Sequence, residues 1–186
     1  MKENLKLGII LLIIAATAGL ILSVAHSVTM KPILAKEKEE KESAMKLVLH
    51  EAESFETVKI DESEEVLGAE AGMKDGKNIG YCINVSSKGY GGPINMMVGI
   101  SEDGKIEGVK ILSLSETPGL GSKTQEPEFI DQFKDKQAAE LSVVKDNASS
   151  DNQIQAVSGA TISSTAVTNG VNNAIKLFND TLKGGK

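Results

Sequence analysis

The chain has 186 residues, enough for one domain and an accessory segment but not two full cores; a formal charge of −6, from 20 basic and 26 acidic residues, argues against a nucleic-acid partner. Every basic residue is Lys, so the planar two-pronged guanidinium clamp for phosphate or carboxylate is excluded. One cysteine, Cys82, and two histidines, His26 and His50, rule out an intrachain disulfide and leave no ligand set for a zinc or iron-sulfur centre.

The run from Leu7 to Val28 has no charged residue and is long enough to cross a bilayer core of roughly 30 Å as a helix. It reads as a retained transmembrane helix; the alternative is a cleaved signal peptide, for which Ser23-Val24-Ala25 offers small residues at the right spacing. Lys2 and Lys6 in the short N-terminal flank predict a cytoplasmic N-terminus and an extracytoplasmic remainder. Lys31, Lys36, Lys38 and Lys41 at the other end pull against this, although Glu37, Glu39, Glu40 and Glu42 alternate with them. Without residues 1–30 the chain holds 18 basic and 25 acidic residues, a charge of −7.

Pro32 is expected to end the membrane helix, because proline cannot donate into the ladder. A second, charged helix then runs from Ile33 to about Phe55, with Ala44, Leu47, Val48, Glu51 and Phe55 forming a narrow stripe that packs it on the domain. Beyond it the period changes to two, giving strands at Val66–Met73, Ile79–Ser86, Ile94–Ile100 and Ile106–Leu114. Asp75-Gly76 and Asp103-Gly104 sit between strands as hairpin signals, so the sheet is an antiparallel meander. Glu126 to Lys136 places Phe129, Ile130 and Phe133 at helical spacing, and Leu141 to Lys145 reads as a short strand. From Thr161 or Ser163 to about Leu182 an amphipathic helix presents Val167, Val171, Ala174, Ile175, Phe178 and Leu182 on one face. The class is α+β: a transmembrane helix over residues 1–30, a juxtamembrane helix or linker over 31–58, and an antiparallel-sheet domain with a long C-terminal helix over 59–186. Cys82 lies within a strand as a small core residue.

Three loops have ligand-binding chemistry. Lys88-Gly89-Tyr90-Gly91-Gly92-Pro93 lets backbone approach a flat ligand beside one aromatic ring, and is also what a glycine-rich hairpin bend looks like. Glu116 to Lys123 offers backbone N–H groups, hydroxyls, a carboxylate and an ammonium for a heterocycle, and a Pro-Gly turn explains it equally well. Ala156 to Ser164 puts small residues where a helix begins, a setting for a phosphate or for ordinary capping by Ser158, Thr161 or Ser163.

Ser158-Gly159-Ala160-Thr161 followed by Ile162-Ser163-Ser164 resembles the flavinylation motif of the FMN-binding domain. With the membrane helix, Gly89-Tyr90-Gly91-Gly92-Pro93 and Glu116-Thr117-Pro118-Gly119-Leu120-Gly121 in the same order, nearly the whole chain is similar to the G subunit of Rnf electron-transport complexes. The C subunit of sodium-pumping NADH:quinone reductase has the same layout in a generally longer chain and is the second choice. The resemblance implies FMN joined through a phosphoester to Thr161, with Ser158, Gly159 and Ala160 shaping the turn and Ser163 near the phosphate. It implies that Tyr90, Gly91 and Gly92, with Glu116, Thr117, Gly119, Leu120 and Lys123, face the flavin.

Gln155 departs from the family pattern, which often has aspartate three residues before the serine; if that carboxylate assists the transferase, modification here is slower. The implied role is electron relay between reduced ferredoxin and NAD inside an ion-translocating complex, with no catalytic acid–base pair and no metal. Implied partners are the other membrane, iron-sulfur and flavin subunits and a flavin transferase; the implied place is the cytoplasmic membrane. A different class of reading is a tethered scaffold without a cofactor, whose glycine loops are mere bends.

Overall fold

The computed structural model describes residues 2–61 and 63–184, in two compact units, Met1–Lys41 and Glu42–Lys186. One helix, α1 (Lys2–Val48), runs through both. Its stretch of apolar residues is long enough to cross a membrane, with Leu11 69% and Leu22 70% exposed, as a lipid-facing surface requires. Hydroxyls in it bond back along the helix, Thr17 Oγ1 to the Ile13 carbonyl at 2.6 Å and Ser27 Oγ to the Ser23 carbonyl at 2.9 Å. Those bonds satisfy the donors without water.

Pro32 does not end this helix; it lies inside it, and no second helix starts at Ile33. Proline removes one donor from the ladder and crowds the carbonyl four residues back, a cost that a helix of this length absorbs. The helix stops at Val48, where Leu49 and Ala52 turn the chain toward a strand, so Phe55 belongs to β1 (Ser54–Val58) and not to a helical stripe. Ala44 and Val48 are buried as the stripe requires, while Leu47 is exposed. The sheet unit therefore begins at Glu42, and residues 42–58, expected in the linker, are part of it.

Strands β1, β2 (Val66–Lys74), β3 (Lys77–Lys88), β4 (Pro93–Ser101) and β5 (Ile106–Ser113) form an antiparallel meander in chain order. The β2–β3 turn has Asp75 at φ 50° and Gly76 at φ 73°, the left-handed pair that a two-residue hairpin demands. β4 is the most deeply buried strand: Ile94, Met96, Val98 and Ile100 point to one face, Met97 to the other. The first face is covered by α3 (Thr161–Leu177) and a wide final turn, through Val167, Val171, Ala174, Ile175 and Phe178. Phe129 and Phe133 close the same core, with rings edge to face at 5.6 Å.

Residues 121–133 form a chain of short turns where the spacing predicts one helix from Glu126 to Lys136. A 3₁₀ turn spans Gly121–Gln125, α2 is only Pro127–Ile130, and a second 3₁₀ turn spans Asp131–Phe133. Beyond them Asp135 adopts φ 63° and its N–H donates to the Ile106 carbonyl, which ends helical winding before Lys136. Strand β6 (Ser142–Val144) pairs in parallel with β7 (Gln153–Gln155), which delivers the chain to the start of α3.

The other face of the sheet receives the end of α1, where Ala44, Met45, Val48, Leu49 and Ala52 pack with Cys82 and Met97. Cys82 is fully buried there. Contact is backbone to backbone: a Cβ on Gly99 would collide with the Val48 carbonyl oxygen, and one on its cross-strand partner Gly108 would lie 3.3 Å from Val48 Cα. At the same end Lys74 Nζ meets Glu51 Oε2 at 2.7 Å, an exposed pair that holds the Glu51 carboxyl below and the Lys74 ammonium above their usual ranges. The close seat makes a sharp expectation. Gly99→Val should cost about 2–4 kcal/mol by forcing α1 off the sheet, whereas Gly68→Ala, with open space around its Cβ, should leave stability near wild type. Urea unfolding of the detergent-extracted chain measures both.

Candidate functional site

The three glycine-rich loops meet at one end of the sheet. The first, Lys88–Pro93, joins β3 to β4 and closes on itself through the Gly89 N–H donating to the Gly92 carbonyl at 2.8 Å. The second follows β5. Leu120 and Ser122 N–H groups both donate to the Thr117 carbonyl at 3.2 Å, and the Gly119 N–H donates to Ser122 Oγ at 2.9 Å, with Gly119 at φ 75°. The third, Val157–Ala160, turns from β7 into α3, with the Ala160 N–H donating to the Val157 carbonyl at 2.9 Å and Gly159 at φ 76°. A Cβ on Gly159 would lie 3.3 Å from Leu120 Cδ2, so the second and third loops are in contact.

Glu116, in the second loop, joins the first loop to the first turn of α3. Its side chain is buried; Oε1 accepts the Gly91 N–H at 3.0 Å, and Oε2 accepts the Ser163 hydroxyl at 2.6 Å. Ser163, expected near a phosphate, is buried and donates to this carboxylate. Ser164 also serves the framework. Its Oγ accepts the Val157 N–H at 3.0 Å and donates to the Ala160 carbonyl at 3.0 Å, holding the third loop against α3. Neither Ser158, Thr161 nor Ser163 caps α3; the cap position is Ala160, which has no side-chain bond to offer. The first-turn N–H groups are left without a capping oxygen, as an anion site needs.

Thr161, the first residue of α3, is exposed, and so is Ser158. Ala160 is buried. Exposed apolar side chains are carried by the same loops and the same turn: Tyr90 at 71%, Leu120 at 46% and Ile162 at 58%. Lys123, exposed, lines a cleft of about 430 Å³ with Phe129, Gln155 and Val157. The Gln155 backbone is tied elsewhere: its N–H and carbonyl pair with the Gln132 side chain at 2.7 and 3.2 Å. Tyr90, Gly91 and Gly92 border a larger groove of about 900 Å³ with Lys88 and Asn169, and Thr161 does not line it.

Sequence reasoning collects Glu116, Ser163 and the glycine loops at one site but gives Glu116 a ligand-facing role and Ser164 none. The buried link between residues 47 positions apart leaves no local signal in the chain. Ile162 is legible only as the variable position of a motif. Because Ser164 Oγ is the acceptor for the part-buried Val157 N–H, Ser164→Ala should cost about 1 kcal/mol, the low end of the penalty for an unpaired donor. Hydrogen exchange at the Val157 amide should speed up by the matching factor.

Residues 89–176 match the family model of the FMN-binding domain. Over 169 residues the chain is 37% identical to the G subunit of the proton-translocating ferredoxin:NAD(+) oxidoreductase complex of Clostridium ljungdahlii, covering 91% of this chain and 88% of that one. It is 35% identical over 197 residues to the G subunit of the Na(+)-translocating ferredoxin:NAD(+) oxidoreductase complex of Acetobacterium woodii, covering 98% and 95%. Two solved structures share the fold. The C subunit of the Na(+)-translocating NADH-quinone reductase from Parabacteroides distasonis aligns with TM-score 0.53 at 18% identity over 82% of this chain and 97% of that one. Shewanella oneidensis NqrC aligns with TM-score 0.51 at 22% identity over 68% and 66%. On sequence identity across almost its whole length, the chain belongs to the family of G subunits of Rnf-type ion-translocating ferredoxin:NAD(+) oxidoreductase complexes.

Proposed function

We propose that the chain is the membrane-anchored flavin carrier of an Rnf-type complex, holding FMN through a phosphoester to Thr161 and relaying electrons without a substrate site of its own. The observation that carries this reading is the disposition of hydroxyls on the first turn of α3. Ser163 is bonded to Glu116 and Ser164 to Val157 and Ala160, while Thr161 is exposed and its Oγ1 makes no hydrogen bond among the described residues. Thr161 is thus the one hydroxyl of that turn, residues 161–164, that is free to be esterified.

The residues around it fit FMN. Uncapped N–H groups at the start of α3 suit a phosphate, and the Lys123 ammonium stands at the cleft that Val157 also lines. Tyr90, Leu120 and Ile162 offer apolar surface to a flat ring, and loop glycines let backbone N–H groups reach its polar edge. FMN, when bound, supplies electron transfer in single or paired steps. The chain's part is to hold the flavin at a fixed place for the next carrier and to surround it with a set pattern of hydrogen bonds.

The remaining assignments follow from family membership together with the apolar helix. The G subunits in C. ljungdahlii and A. woodii are named as parts of ferredoxin:NAD(+) oxidoreductase complexes, so the partners proposed here are the other membrane, iron-sulfur and flavin subunits, with a flavin transferase for maturation. The apolar run from Leu7 to Val28, within the one candidate membrane helix among the described residues, supplies the anchor in the cytoplasmic membrane. Lys2 and Lys6 favour a cytoplasmic N-terminus, which puts the sheet domain outside.

Intact-mass measurement on protein made alongside the transferase tests the attachment. The chain should gain the mass of FMN less one water and give a yellow, UV-fluorescent band after denaturation. Thr161→Ala should lose both, and survival of the band in that variant sinks the assignment. Topology has its own test: Cys82 is buried and gives no background, so Lys77→Cys, on the exposed β2–β3 hairpin, should react with a membrane-impermeant maleimide in intact spheroplasts. Labelling only after lysis reverses the orientation.

A further inference from the structure

A phosphoester at Thr161 fixes one end of FMN and leaves the other end free to turn about the bonds of the ribityl chain. Something else must hold the ring, because electron transfer depends on where it lies. Glu116 is built into the site in a way that a surface glutamate is not. It is only 7% exposed, and its two oxygens face two different elements, the Tyr90 loop and α3.

The chain has made room for that carboxylate with glycines. A Cβ on Gly89 would collide with Oε1, and one on Gly121 would come within 2.5 Å of Oε2 and 2.6 Å of Ser163 Oγ. A third glycine, Gly91, supplies the N–H and has its own Cβ direction filled by the Ser115 carbonyl oxygen. Desolvating a carboxylate is costly unless its lone pairs are met, and here the donors are one backbone N–H and one hydroxyl. Neither donor is a cation, so among the described residues no ion pair accounts for its burial there.

We propose that Glu116 is a positioning residue for the flavin, acting through Gly91 and Ser163 and not by touching the cofactor. By tying the Tyr90 loop to the first turn of α3, it fixes the ring-facing side chain Tyr90 relative to the Thr161 anchor. This rests on the flavin reading above, and it departs from the expectation that Glu116 faces the ring. A buried 2.6 Å bond to Ser163 and a part-buried 3.0 Å bond to Gly91, meeting on one carboxylate, are the kind of link that gives a site fixed geometry.

The test uses full-length protein extracted from membranes with FMN attached, and reads the visible circular dichroism and midpoint potential of the flavin beside intact mass and thermal unfolding. Free flavin gives weak dichroism, and a ring held against asymmetric surroundings gives a strong signal. Glu116→Ala and Ser163→Ala should keep the FMN mass on Thr161 and lose the induced signal. Glu116→Gln should restore it, since its oxygen still accepts from Gly91 and its NH₂ can donate to Ser163 Oγ. The double variant should lose no more than Glu116→Ala alone, as members of one link do.

Ser163→Ala, which changes a single hydroxyl, decides the question where Glu116→Ala does not fold. Full FMN content with wild-type dichroism and potential in Ser163→Ala and Glu116→Ala overturns the proposal alone. Additive losses in the double variant overturn the shared link. A wild-type chain with no added mass overturns the flavin reading and this one together.

Discussion

One buried carboxylate, that of Glu116, ties two loops of the sheet domain to the start of its last long helix. Glu116 sits where the β3–β4 loop, the segment after β5 and the start of α3 come together, and the two loops carry glycines where side chains would otherwise pack. Loops of that composition have little apolar area to bury, and by themselves would be ordered only by their own turns. A single group with two acceptors in different directions solves this with few residues. The Gly91 N–H and the Ser163 hydroxyl converge on it, and the glycines that weaken the loops are also what admits the carboxylate.

The opposite face of the sheet obeys a related constraint. The end of α1 lies against Gly99 and Gly108, neighbours on β4 and β5, close enough that the Val48 backbone occupies the space of their missing side chains. Helices usually sit about 10 Å above a sheet on a layer of side chains; here a small stripe of Ala44, Val48 and Ala52 meets a glycine track. The sheet is thereby buried on both faces, by α3 on one and by residues 44–52 on the other. The segment that leaves the apolar helix is thus part of the sheet domain's own core. With α3 also carrying Thr161 at its first residue, the core that stabilises the domain is the same core that places the hydroxyl.

How much of this could be read beforehand divides along local and non-local lines. The four strands β2 to β5 and their Asp-Gly turns are written in period-two patterning and turn chemistry, and they lie within a few residues of expectation. The C-terminal helix is equally local: Val167, Val171, Ala174, Ile175, Phe178 and Leu182 share one stripe and are all buried. Pro32 misled because a proline reads as a stop, while a helix that continues for many turns on both sides tolerates the lost donor and the crowding it brings. Phe55 misled because its spacing continues a helical stripe, whereas pairing with Gly72 on β2 claims it for a strand. The Phe129, Ile130, Phe133 spacing is kept, but short turns deliver it, since Ile106 captures the backbone at Asp135 and Lys136. In each strand and turn case a contact distant in sequence overrode a correct local pattern. The Glu116 to Ser163 link is the same kind of information, which is why the motif residues could be collected at one site but not assigned their parts in it.

The missing arginines take on a physical meaning at this site. A non-covalent phosphate cradle needs cations or a nest of N–H groups strong enough to hold the ligand through every turnover, and this acidic chain offers one lysine and the start of one helix there. The ester bond proposed at Thr161 would remove that requirement, because retention would no longer depend on an equilibrium with free FMN. What remains for non-covalent contacts is orientation, which asks for directional hydrogen bonds and flat apolar surface and not for charge. The composition of the three loops matches that division: glycine N–H groups and the exposed side chains of Tyr90, Leu120 and Ile162, with a buried carboxylate tying the Tyr90 loop to the first turn of α3.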